Sequence, residues 1–180
     1  MAQIYDLLII GSGPAGMAAA IYAQRAGLKA SVLEKTGISG GQVLTTYEVD
    51  NYPGLPEISG FDLSEKFKEH ALRLGTEIQT AEVKKVIDHG ATKILETDQG
   101  CYETKTVLIA TGANHAKLHI PGEEELAGMG VSYCATCDGA FFRNRTVVVV
   151  GGGDVAVEDA IFLARFCKQV YLVHRRDSLR

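Results

Sequence analysis

Two cysteines three positions apart, Cys134 and Cys137, with Asp138 directly after them, form a group able to carry electrons and protons. The thiolate is the reactive form of cysteine, and a close pair lets one sulfur attack while the other resolves a mixed disulfide. Asp138 stands where a departing thiolate needs a proton. A helix starting at Asp138 or Gly139 would lower the pKa of Cys137 through its N-terminal dipole. Zinc ligation competes with this reading, because His115 and His119 complete a set of four ligands. Their order reverses that of the usual finger, and Pro121-Gly122 follows His119 too closely for a helix to align both rings. A structural disulfide is the third possibility, opposed by the cytoplasmic setting inferred below. Redox catalysis is the best of the three. Cys101 and Cys167 are isolated and read as small core residues.

Two glycine turns flank the dithiol. The first is Gly11-Ser12-Gly13-Pro14-Ala15-Gly16 after an apolar run, and the second is Gly151-Gly152-Gly153-Asp154-Val155-Ala156 after another. In a dinucleotide-binding βαβ unit the first glycine permits the tight turn and the second admits the pyrophosphate. The third lets helix and strand pack, and the helix N-terminus faces the phosphates. An acid about 20 residues on accepts from the ribose hydroxyls, and Glu34 occupies that place. A shift of 140 residues lays Gly151 on Gly11, Gly153 on Gly13, His174 on Glu34 and Arg175 on Lys35. The second copy thus has His174-Arg175-Arg176 where the first has a carboxylate. Arginine forks attract the phosphate that a carboxylate repels, so the second site should prefer NADPH.

The elements that position these groups follow from patterning. Strands are expected at 6–10 and 30–34, with a helix over 15–26 stopped by Gly27. The Gly- and Pro-rich stretch 37–60 reads as an active-site loop. An amphipathic helix is expected over 61–74, an antiparallel meander over 78–105 and a buried strand over 106–110. Residues 114–132 read as an inter-domain crossover, after which the strand–glycine–helix–strand pattern restarts at Thr146. The domains expected are 1–114 and 115–180, both α/β, three-layer and Rossmann-like, the second incomplete.

Composition agrees with a folded chain. Of 180 residues 46% are hydrophobic and 22% charged, with a net charge of -4. That balance argues against nucleic-acid binding. No apolar run is long enough to span a membrane, and the N-terminus lacks the positive region of a signal peptide, so a cytoplasmic protein is expected.

Together these residues resemble the low-molecular-weight thioredoxin reductases, a branch of the two-domain flavoprotein disulfide reductases. The resemblance rests on the two glycine turns, Gly40-Gly41-Gln42, Asn51-Tyr52-Pro53-Gly54 and Ala110-Thr111-Gly112-Ala113. It rests most specifically on Cys134-Ala-Thr-Cys137-Asp138-Gly139 and on His174-Arg175-Arg176 with Arg180. It implies FAD in the first domain, held by residues 11–16, Glu34, Lys35, Gly41, Gln42, Asn51, Val83 and Ala110-Thr111-Gly112. It implies NADPH in the second, held by Gly151, Gly153, Asp154, His174, Arg175, Arg176 and Arg180. Electrons would pass from NADPH to FAD, to a Cys134–Cys137 disulfide, and on to a thioredoxin-like protein. Cys137 would lie against the flavin, Cys134 would attack the partner, and Asp138 would serve as acid and base. A homodimer is implied. The chain departs from the family pattern at Val155, where a small hydroxyl residue is common, and by stopping soon after the second strand of its second unit. It therefore reads as a truncated protein. The alternatives are a non-catalytic FAD-binding fragment and the flavoprotein reductase of a peroxiredoxin system.

Overall fold

The computed structural model describes residues 4–179, apart from the side chain of Thr45. Arg180 lies outside the described residues. The chain divides into two compact units, with the boundary between Asn114 and His115.

In the first unit β1 (Ile4–Ile10) leads through a glycine turn into α1 (Pro14–Arg25) and then β2 (Ala30–Glu34). The chain continues through α2 (Gly60–Arg73), β3 (Glu77–Thr80), β4 (Val83–Asp88), β5 (Lys93–Thr97) and β6 (Gly100–Ile109). One six-stranded sheet results, in the order β3-β2-β1-β6-β5-β4. Strands β1, β2 and β3 are parallel to one another, and β6 runs parallel to β1 from Glu103 to Ile109. The first half of β6 pairs antiparallel with β5, and β5 with β4. The expected meander is therefore corrected at its start. Residues 77–80 join the parallel sheet beside β2, and the strand expected at 106–110 is the far half of β6.

Alternation along each strand builds a core on both faces, because neighbouring side chains point oppositely. Leu8 and Leu33 join Tyr5, Ala81 and Leu95 in one cluster. Ile9 and Val32, one position away, pack with Met17, Ala20 and Ala71 from α1 and α2. Helix α2 begins where Ser59 accepts a hydrogen bond from Asp62 N–H at 3.0 Å. A capping side chain of this kind satisfies one of the amides a helix start leaves open.

The second unit opens with an irregular segment over residues 115–120, followed by turns over 121–130. It continues through α3 (Ala135–Asp138), a 3₁₀ turn at Gly139–Phe142, β7 (Thr146–Val150), α4 (Asp154–Leu163) and β8 (Gln169–Val173). Strands β7 and β8 are parallel, with Val147 paired to Val170 and Val150 to Val173. The first unit pairs Leu7 with Ala30 and Ile10 with Leu33. The 140-residue shift therefore holds at the level of strand register. Val148, Val150, Tyr171 and Val173 are exposed, although parallel strands of this composition are usually covered on both faces. Among the described residues no helix is long and apolar enough to cross a membrane. Cys167 is half-buried, but Cys101 is exposed on β6, which corrects its reading as a core residue.

Candidate functional site

The strand order of the first unit reverses between β1 and β6, the place where α/β sheets open a crevice at their carboxyl ends. Gly11 turns the chain there with φ 102° and donates its N–H to Leu33 C=O at 2.9 Å. A Cβ at Gly11 would lie 2.4 Å from the carbonyl oxygen of Ala110, and one at Gly16 would lie 2.0 Å from that of Gly11. Both obstacles are backbone, so only glycine fits. Gly13 precedes α1, whose first residue is Pro14, and the first amides of a helix have no partner within it.

Glu34, at the end of β2, accepts from Ser12 N–H at 2.9 Å and Ser12 Oγ at 2.6 Å through Oε2. Its Oε1 accepts from Thr36 N–H at 3.1 Å and Thr36 Oγ at 3.2 Å. Desolvation raises its pKa, but the hydrogen bonds from Ser12 and Thr36 outweigh that and hold it below the ordinary carboxylate value. The loop after β2 closes on the same turn, with Gly40 N–H donating to Ser12 C=O at 3.0 Å. A Cβ at Gly40 would lie 2.4 Å from Ser64 Oγ, so α2 sets this loop's position. The Gln42 side-chain amide donates to Ala113 C=O, and Ala110 N–H donates to Ile10 C=O at 2.9 Å. Four segments distant in sequence thus meet at one crevice: 11–16, Glu34, 40–42 and 110–113. Pro14, Ala15, Lys35, Gly41, Thr111 and Gly112 are exposed around it. Val83 is half-buried and packs on the core cluster containing Leu33. Asn51 is exposed in a separate turn, and no hydrogen bond among the described residues ties it to the crevice.

The second turn repeats the first with one paired change. Gly151 has φ 156° and donates to Val173 C=O at 2.9 Å, and Gly153 precedes α4, which opens with Asp154. Where Ser12 holds Glu34, Gly152 lies under His174: a Cβ there would be 2.3 Å from Nδ1 and 2.5 Å from Cγ. The two exchanges go together, because an imidazole can rest on this turn only where the turn lacks a side chain. His174 Nε2 is buried without a hydrogen-bond partner among the described residues. Arg175 and Arg176 are exposed.

Cys134 and Cys137 are joined in a disulfide, with Cα atoms 5.3 Å apart. Helix α3 starts at Ala135 and not at Asp138 or Gly139, so the sulfur at its N-terminus belongs to Cys134. Cys137 N–H donates to Cys134 Sγ at 3.2 Å, and Thr136 Oγ lies 3.5 Å from that sulfur. Asp138 Oδ2 accepts from Ser132 Oγ at 2.5 Å. Gly139 seats this loop on the end of α4 and the turn after it, since a Cβ there would meet Leu163 at 3.0 Å and Phe166 at 3.1 Å. Among the described residues no group of three or more His, Cys, Asp or Glu side chains is arranged to hold a metal.

The buried carboxylate of Glu123 organises the strap before the dithiol. It accepts from Leu118 N–H at 2.8 Å, His119 N–H at 2.7 Å and Tyr133 OH at 2.9 Å. The Leu118 amide, with Tyr133 and the other amides, holds its pKa below the ordinary value against the opposing effect of desolvation. Desolvation and the bond to Glu123 in turn hold the Tyr133 phenol above its own. The His115 ring stacks on Tyr133 at 3.4 Å between centroids. Ser132 and Glu123 lie outside the motifs and Thr136 and Gly152 lie inside them, but none of the four is among the candidate site residues read from the sequence.

The profile of the pyridine nucleotide-disulphide oxidoreductases matches residues 5–180. A thioredoxin reductase of Bacillus subtilis (strain 168) is 51% identical over 178 residues, covering 99% of this chain and 56% of that protein. A bifunctional thioredoxin reductase/thioredoxin of Mycobacterium leprae is 49% identical, over 98% of this chain and 39% of that protein. The solved thioredoxin reductase of Streptococcus pyogenes aligns over the whole chain and 58% of its own, at 50% identity and a TM-score of 0.93. The chain spans about half the length of such relatives. A disulfide in one unit, with a glycine turn of matching register in each, is thus accounted for by descent: the chain belongs to the pyridine nucleotide-disulphide oxidoreductase family.

Proposed function

We propose that this chain carries the cofactor-binding and redox groups of an NADPH-dependent, FAD-containing thioredoxin-disulfide reductase. Residues 1–114 serve the flavin nucleotide, and 115–180 serve NADPH and hold the redox pair. The observation that most supports this reading is the Cys134–Cys137 disulfide in a chain with two dinucleotide-type turns of equal register.

The residues present fit both nucleotides. In the first unit Gly11 and Gly16 let the turn close against backbone, Gly13 presents open backbone at the start of α1 where a pyrophosphate would lie, and the ionised Glu34 suits ribose hydroxyls. In the second, no carboxylate stands at the ribose position, and His174, Arg175 and Arg176 take its place with donors suited to a 2′-phosphate. When bound, the flavin supplies hydride acceptance from NADPH and delivery of two electrons to a disulfide.

The chain's own residues then do thiol chemistry. Two electrons and two protons convert the Cys134–Cys137 disulfide to a dithiol. The Cys134 thiol passes its proton to Asp138, and the thiolate attacks a substrate disulfide, forming a mixed disulfide and releasing one substrate sulfur, which takes that proton back from Asp138. Cys137 then attacks Cys134 Sγ, restores the internal disulfide and releases the second substrate sulfur, which takes the Cys137 proton. Exposure alone would favour Cys137 as the attacking residue, since Cys134 is half-buried. The donors around Cys134 Sγ favour Cys134, because the Cys137 amide and the Thr136 hydroxyl stabilise a thiolate there. A relative that fuses reductase and thioredoxin supports a thioredoxin-like substrate. The enzyme acts as a cytoplasmic homodimer.

The test is an anaerobic spectrophotometric titration of the purified full-length protein. NADPH should bleach the flavin band and oxidised thioredoxin should restore it. Cys137→Ser should keep the bleaching and lose the restoration. Colourless protein, or flavin unmoved by NADPH, overturns the proposal.

A further inference from the structure

Ser132 lies two residues before Cys134 and six before Asp138, and its hydroxyl sits between them. Its Oγ is 2.5 Å from Asp138 Oδ2 and accepts from Cys134 N–H at 3.0 Å. The Cys134 carbonyl oxygen lies 3.3 Å from the same hydroxyl and accepts from Asp138 N–H at 3.1 Å. A small closed circuit therefore ties the carboxyl to the backbone of the first cysteine.

A hydroxyl has one hydrogen and two acceptor sites. With Asp138 ionised, that hydrogen points to the carboxylate in a charge-assisted bond. With Asp138 protonated, the direction reverses: the carboxyl O–H donates to Ser132 Oγ, and the hydroxyl hydrogen turns to the Cys134 carbonyl. Oγ then accepts from Cys134 N–H and Asp138 while donating once, which uses its full capacity. Neither state leaves a polar group unpaired, and the carboxyl need not move between them.

We propose that Ser132 is a positioning residue that holds Asp138 beside the dithiol in both protonation states, so that one carboxyl acts as base and then as acid. The proposal rests on the reading of Asp138 as the proton carrier. As base, Asp138 takes the proton of the Cys134 thiol, leaving a thiolate. That thiolate bonds to one sulfur of the substrate disulfide, and the other sulfur departs with the electron pair of the broken bond. Asp138 returns the proton to it, and the carboxylate is restored with no outside reagent.

The test is a double-mutant cycle on the full-length protein. Pre-reduced enzyme is mixed in stopped flow with oxidised thioredoxin, on samples matched in flavin content. Ser132→Ala should slow exchange about tenfold, part of the 10²–10⁴-fold that general acid–base catalysis contributes. Ser132→Thr, which keeps the hydroxyl, should restore most of the rate. In an Asp138→Asn background, Ser132→Ala should add less than about twofold, because the hydroxyl would then have no proton carrier to position. A full additional loss in that background overturns the proposal, as does a wild-type rate for Ser132→Ala or a threonine variant as slow as alanine. An Asp138→Asn enzyme that runs at the wild-type rate removes the role of Asp138 itself. That result is read from the single variant, separately from the cycle.

Discussion

Gly16→Ala offers a test in which the molecule contains its own control. The added Cβ would lie 2.0 Å from the Gly11 carbonyl oxygen and 3.0 Å from its carbon. An unstrained carbon–oxygen contact is about 3.3 Å, so roughly 1.3 Å of separation must be found. Gly11 has little freedom to supply it, because its N–H is bonded to Leu33 C=O at 2.9 Å and its Cα packs on the Ala110 carbonyl. The displacement therefore passes into the central ladders of β1 with β2 and β6. Overpacking in such rigid surroundings costs about 3 kcal/mol, the upper part of its usual range. For a unit of this size that lowers Tm by roughly 10–15 °C. The same shift opens the turn where the pyrophosphate must approach, so flavin should be lost as well. The control is Ala156→Gly, the matching position of the second copy. It removes a methyl that is already accommodated, and should cost no more than about 1 kcal/mol, through helix entropy. Thermal melting followed by circular dichroism, with flavin content from visible absorbance, reads both. A Gly16→Ala protein that melts within about 2 °C of wild type and keeps its flavin would refute the steric reasoning.

Glu34 should make the first unit sensitive to acid. Its folded pKa lies below the ordinary value of 4.5, so its contribution to stability is complete above that value and is lost as pH falls through the folded pKa. Glu34→Gln should accordingly lower the urea midpoint near neutral pH and flatten its decline toward about pH 3; an unchanged acid limb counts against the hydrogen-bond account. Gly152→Ala should force the His174 ring back by about 1 Å, weakening NADPH several-fold with little change in Tm, because a side-chain ring can turn where backbone cannot; calorimetric titration gives the affinity, and unaltered NADPH binding would refute the Gly152–His174 pairing. Arg175→Ala should cost NADPH about 10- to 100-fold in Kd and leave NADH nearly unchanged, as expected for one charge-assisted phosphate contact; equal losses for both nucleotides remove the phosphate-reading role.

Several features were legible without coordinates because they depend on residues close in the chain. A positive φ at Gly11 and Gly151 needs glycine, and the cost of any other side chain makes the requirement visible as a motif. The spacing from Gly11 to Glu34 is one turn, one helix and one strand long, which is why a 140-residue shift overlays both copies down to their strand register. The Cys-x-x-Cys spacing likewise places two sulfurs within bonding reach of each other. Other features were misread. Residues 77–80 look like part of a meander, yet they pair parallel with β2, since strand partners depend on the whole sheet. The helix at the dithiol starts three residues earlier than the position of Asp138 suggests, because the Cys134 sulfur itself accepts from the helix amide of Cys137.

Residue types and spacing alone disclose the chemistry on offer: a cysteine pair with a neighbouring acid, two glycine turns with dinucleotide-type spacing, one carboxylate and one arginine pair. Each follows from local backbone geometry or from the charge of a named side chain. Which groups hold them in place depends on contacts that exist only in the folded chain. Ser132 lies outside every motif, and its bond to Asp138 exists only because the loop folds that carboxyl back onto the hydroxyl. Gly152 reads as a spare glycine until His174, 22 residues away, is seen lying on it. Gly40 is set by Ser64 of α2, and the strap before the dithiol by the buried carboxylate of Glu123. These contacts join residues by distance in space, and a single sequence records spacing along the chain.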